Sequence, residues 1–71
     1  MSGGNGKPER GERVLLLIRK EIEVFPQLRP VVGKVYEGRR YWMDRHATLV
    51  IPEIGKLGLV VRQDEVTVVW G

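Results

Sequence analysis

Residues 36–46, YEGRRYWMDRH, set Arg39, Arg40, Arg45 and His46 among Tyr36, Tyr41 and Trp42. Aromatic rings of this kind stack on nucleobases while guanidinium groups contact phosphates, and each stacked base is worth roughly 1–3 kcal/mol. Charge supports that chemistry locally. The net charge is only +3, but residues 29–46 carry five cations (Arg29, Lys34, Arg39, Arg40, Arg45) against Glu37 and Asp44. The predicted nucleic-acid surface is therefore Arg29, Lys34, Tyr36, Arg39, Arg40, Trp42 and Arg45, with RNA or single-stranded DNA as the favoured ligand. Tryptophan, tyrosine and arginine are also the residues enriched in protein–protein hot spots. The same composition thus suits a larger protein partner.

Catalysis finds little support. There is no cysteine, and the only serine is Ser2, so nucleophilic catalysis by thiolate or a serine triad is excluded. Gly33-Lys34 is followed by valine, and position 28 is leucine, so the phosphate loop G-x-x-x-x-G-K-[ST] is not met. His46 is the only histidine; with Asp44 two residues away it reads as a solvated turn residue. Glu21/Glu23 and Asp64/Glu65 are too close in sequence to flank a substrate. No catalytic residue, metal ligand or cofactor is assigned, and the expectation is a protein that is not an enzyme.

The elements that must position these side chains follow from periodicity. Residues 1–7 read as a disordered arm, and 8–71 as a single small domain. Val14, Leu15, Ile18, Ile22 and Phe25 recur at helical spacing opposite Arg13, Arg19, Lys20 and Glu23, which predicts a helix over about 10–24, ended by Pro26. Leu16 does not fit that helix, because it falls among the charges. Leu17 and Val24 widen the apolar face. Leu16, Leu17 and Val24 are therefore the expected partner interface, and a homodimer through the helix is one outcome.

A proline-flanked connector, 26–30, precedes a change of period. Expected strands run over 31–36, 40–43, 47–51, 57–62 and 66–70, with turns at Glu37-Gly38, 44–46 and 63–65. In the second, Tyr41 and Met43 are expected inside and Arg40 and Trp42 outside. Trp70 is expected in the core with Val66 and Val68. The fold class is α+β, mainly β: a helix followed by a five-stranded antiparallel small barrel over about 31–70. In its pattern that layout resembles the Src-homology-type small barrels.

No apolar run approaches a membrane span; the longest, 14–18, has five residues. Nor does the N-terminal stretch carry the apolar core of a signal peptide, so the expected location is cytoplasmic.

Overall fold

The computed structural model describes residues 11–71, and the expected arm at 1–7 lies outside the described residues. Five strands form one open antiparallel sheet: β1 (Glu12–Ile18), β2 (Val35–Met43), β3 (His46–Ile51), β4 (Leu59–Val61) and β5 (Val66–Trp70), in the order β4-β3-β2-β1-β5. The mainly β architecture is as expected. The helix is not: among the described residues the only helical element is a single 3₁₀ turn, Pro26–Leu28.

The reason lies in the period of VLLLI. Val14, Leu16 and Ile18 are buried on one face, and Leu15 and Leu17 are half-buried on the other. That is alternation of period two, with β-branched residues at both ends of the run. Leu16, the misfit on a helical wheel, has no exposure at all because it is the centre of the strand. Its expected place at a partner interface is thereby corrected. Ile22, a member of the apparent helical stripe, and Val24, which widened its apolar face, instead turn onto the core from an irregular loop. Hydrogen bonds from Ile18 N–H to Lys34 O (3.0 Å) and from Gly33 N–H to Ile18 O (2.8 Å) bracket that loop and return the chain to the sheet.

The strand count agrees with expectation, but the strands are not the same five. The expected turn at Glu37-Gly38 is absent, and 35–43 runs as one strand. Gly38 lies mid-strand opposite Val14 and beside Leu16, where its missing side chain makes room for the leucine. The β2–β3 hairpin turns at Asp44 and Arg45, with Asp44 at φ 58, a left-handed conformation that aspartate tolerates. One core face collects Val14, Leu16, Ile18, Tyr36, Leu49, Ile51, Leu59, Val61 and Val66, joined by Ile22. No helix among the described residues is long and apolar enough to cross a membrane.

Candidate functional site at the tryptophan end of the sheet

Antiparallel partners share a face, so register fixes what each side chain meets. Glu12 pairs with Arg40, and Arg40 with Leu49. Counting along β2, Tyr36, Gly38, Arg40 and Trp42 share the core side, while Val35, Glu37, Arg39 and Tyr41 share the outer side. This inverts the expected assignment of Tyr41 to the core. Reading Gly38 as a turn hid the alternation that runs unbroken from Tyr36 to Trp42.

Arg40 and Trp42 nevertheless reach solvent, because the apolar core runs out before them. The Arg40 Nε donates to Glu12 Oε1 at 2.9 Å, and its Nη2 donates to Gly71 O at 3.0 Å. The guanidinium lies 5.8 Å from the Trp42 ring centroid. The Trp42 indole N–H donates to the same Glu12 oxygen at 3.2 Å and leaves the residue 58% exposed. One carboxylate thus binds β1 to β2 and anchors the indole by its polar edge.

The hydrogen bond from Arg40, followed by that from Trp42, holds the Glu12 carboxyl below the usual carboxylate range; desolvation opposes them. A lowered folded-state value means the clasp contributes to stability above the unfolded value and is lost as pH falls through the folded one. In a carbon-detected NMR titration the Glu12 carboxyl is expected to titrate below ordinary glutamate. Arg40→Met should move it back up, with the Trp42 indole proton shifting at the same midpoint. An ordinary midpoint in the unsubstituted protein would contradict the clasp.

A second arginine–tryptophan stack stands on the outer side. Arg13 lies 5.8 Å from the Trp70 ring centroid and donates from Nε to Glu37 Oε2 at 3.1 Å. Trp70 is 56% exposed, not in the core as expected. Its register explains why: Leu16 pairs with Val68 but Leu15 with Trp70, so Val69 is an extra residue. This β-bulge puts Trp70 on the face opposite Val68. No residue type in the sequence marks that bulge.

The other expected ligand contacts are dispersed. Tyr36 is buried at 7% exposure, and its hydroxyl accepts from Val31 N–H at 2.9 Å, so it is no stacking platform. Lys34 sits over the Tyr36 ring, 5.0 Å from its centroid. Arg29 donates to Glu21 and to the Val24 carbonyl, both at 2.8 Å. Arg39, on the outer face, donates to Gly11 O at 3.2 Å and lies 3.9 Å from Glu37. Arg45 and His46 are exposed at the β2–β3 turn. Of the expected partner residues, Leu17 is half-buried on the outer face and Val24 packs against the core. The structure therefore brings Arg40 and Trp42 together and separates them from Arg29, Lys34, Tyr36 and Arg39. Glu12, Arg13 and Trp70 are the site residues that sequence reasoning missed.

Among the described residues no group of three or more histidine, cysteine, aspartate or glutamate side chains is placed to hold a metal ion. Comparison with protein-family models, curated proteins and solved structures finds no match to this chain.

Proposed function

We propose that this chain is a non-enzymatic protein-interaction module that binds a partner through the tryptophan-bearing end of its sheet. The observation that carries this reading is the pair of arginine–tryptophan stacks. Each indole is more than half exposed, and each stacked guanidinium is already matched by a carboxylate of its own chain, Glu12 or Glu37. Rigid aromatic surface with its charge compensated in place suits a desolvated protein contact. A polyphosphate would have to compete with those carboxylates. Arg13, Lys20, Arg29, Arg39 and Arg40 all stand within 4 Å of one, which weakens the counterion-release drive for nucleic acid.

A second reading, binding of RNA or single-stranded DNA, is favoured by one feature. Trp42 leads into a hairpin turn whose Arg45 and His46 are exposed and form no ion pair among the described residues. One experiment separates the readings: affinity capture after nuclease treatment, paired with oligonucleotide titration at low and near-physiological salt. The expected partner is retained through nuclease. Its affinity falls about thirtyfold in Trp42→Ala or Trp70→Ala, as loss of a hot spot of ~2 kcal/mol implies, and oligonucleotide binding vanishes at near-physiological salt. Nuclease-sensitive capture, with oligonucleotide binding that survives salt and is lost in Trp42→Ala, would establish the second reading instead.

A further inference from the structure

β4 is an edge of the sheet, and the residue after it shows which way its backbone groups face. Arg62 N–H donates to Glu65 Oε1 at 2.8 Å, and Arg62 C=O accepts from Glu65 N–H at 3.0 Å. Both groups of Arg62 are therefore turned away from β3. Antiparallel pairs alternate between hydrogen-bonded and non-hydrogen-bonded. Leu49–Val61 is then the bonded pair, whereas Val50–Val60 is not. Val60 accordingly points its N–H and C=O off the edge, where no described residue bonds them.

Val60 and Arg62 line a groove of about 510 Å³ whose other wall is the chain that follows β1, residues 20–24. That volume lies in the range of ligand sites. The second wall belongs to no strand, and the N–H groups of Lys20, Glu21, Ile22 and Glu23 donate to no described residue. It runs opposite in direction to β4. Arg19 N–H donates to Glu65 O at 2.9 Å and Lys20 Nζ lies 3.4 Å from Asp64, so the wall begins beside the β4–β5 turn. Leu28, further along, lies against Gly55 in the β3–β4 loop. Ile22, Val24 and Val60 supply apolar surface, and Val60 is 63% exposed. Most charges around the groove are engaged: Lys20 with Asp64, Glu21 with Arg29, and Glu65 with the Arg62 N–H. Two lining side chains form no ion pair among the described residues. They are Arg62 at the turn end and Glu23 toward the other.

We propose that this groove binds one extended peptide segment of a partner protein, laid antiparallel to β4, with an apolar residue opposite Val60, an acidic residue N-terminal to it beside Arg62, and a basic residue C-terminal to it beside Glu23. This is strand addition: main-chain bonds to the Val60 edge hold the peptide, and the flanking side chains select it. The two walls select the occupant. A segment lying between β4 and residues 20–23 must bring both of its own edges unbonded. β4 and β5 of a second copy each have one edge already paired within their sheet, so neither fits between two walls. Residues 1–10 offer only Met1 and Pro8 as apolar side chains, and proline lacks the N–H that Val60 C=O requires. The unpaired Arg62 and Glu23 fix the direction of the peptide, because reversing it would oppose like charges at both ends. The groove shares no residue with the tryptophan-bearing end, so the site is additional to the one proposed there.

Amide NMR and hydrogen exchange during titration with three end-blocked pentapeptides test this: DVVVK, its charge-reversed form KVVVD, and DVVVK with an N-methyl group on the central valine. With DVVVK the Val60 amide is expected to shift and become protected, while the Val61 amide, already bonded to Leu49, keeps its protection. KVVVD should bind about tenfold more weakly, as two exposed charge pairs turned repulsive imply, and the N-methylated peptide should not bind. In the double variant Glu23→Lys/Arg62→Glu the preference between DVVVK and KVVVD should invert. Should that variant fail to fold, the three peptides on the unsubstituted protein decide alone. A Val60 amide indifferent to millimolar DVVVK overturns the inference, as do equal affinities for the two charge patterns or unimpaired binding of the N-methylated peptide. A Val60 amide already protected without peptide also overturns it, because the groove is then filled by this chain or a second copy. Trp42→Ala and Trp70→Ala should leave peptide binding unchanged. Partner capture that depends on tryptophan while the peptides fail to bind removes this inference alone; the converse removes the proposed function alone.

Discussion

Leu16→Glu is expected to unfold the domain outright. Leu16 has no solvent exposure and lies between Tyr36 on β2 and Val68 on β5. A carboxylate there would be stripped of water with no partner at hand, and protonating it at neutral pH would itself cost folding free energy. Chains of this size are stable by roughly 4–11 kcal/mol, from ~0.05–0.15 kcal/mol per residue, a margin that an unpaired buried charge exceeds or nearly exceeds. Circular dichroism at neutral pH should lose the sheet signal, and amide proton shifts should collapse toward random-coil values. Leu16→Ala provides the calibration: a folded protein destabilised by about 2–5 kcal/mol. Leu17→Glu, one residue on and facing outward, should remain folded. A folded Leu16→Glu that merely changes its state of association would restore the helical reading of this segment.

Gly38→Ala is the second large effect, and it comes from space, not from dihedral preference. A Cβ at position 38 would stand 2.5 Å from Leu16 Cδ1, 3.0 Å from Leu16 Cγ and 3.1 Å from the Val50 carbonyl oxygen. The leucine is enclosed on all sides, and the carbonyl belongs to a paired backbone, so neither withdraws easily. Replacing a mid-strand glycine usually gains about 0.5–1 kcal/mol of backbone entropy. Overpacking costs about 1–3 kcal/mol and is expected to prevail, with Gly38→Val worse. Denaturant midpoints of Gly38→Ala, Leu16→Ala and the double variant form a cycle. The double variant should be more stable than the sum of the single effects predicts, since each change makes room for the other. Additive effects would mean that the two positions do not share the same volume.

These two positions also mark where the sequence was readable and where it was not. β3 and β5 were legible because apolar alternation is bounded there by clear turn residues, 44–45 on one side and 62–65 on the other. β1 mimics a helix because Ile22 and Phe25 follow at helical spacing by coincidence: one packs from a loop, the other is exposed. Leu16, the one apolar residue off the helical stripe, carries the period-two signal of the strand. Glycine has two meanings in a β-rich chain, turn or close approach, and Gly38 took the second. That single choice reversed the faces of Tyr41 and Trp42. The exposure of Trp70 depends on a bulge, set by the pairing of β1 with β5 and invisible in local composition. Arginines clustered in sequence were also separated by the pleat, which sends Arg39 and Arg40 to opposite faces, each to a different glutamate.

β1 occupies the position beside β5 in the sheet order, although nearly the whole chain separates them in sequence. Closing that ladder requires an entropic search across some fifty intervening residues, and topologies dominated by such distant pairings fold in milliseconds to seconds. During synthesis the apolar flank of VLLLI therefore stays bare until Val66–Trp70 has left the ribosome, and an unpaired apolar strand edge is prone to aggregate in that nascent interval.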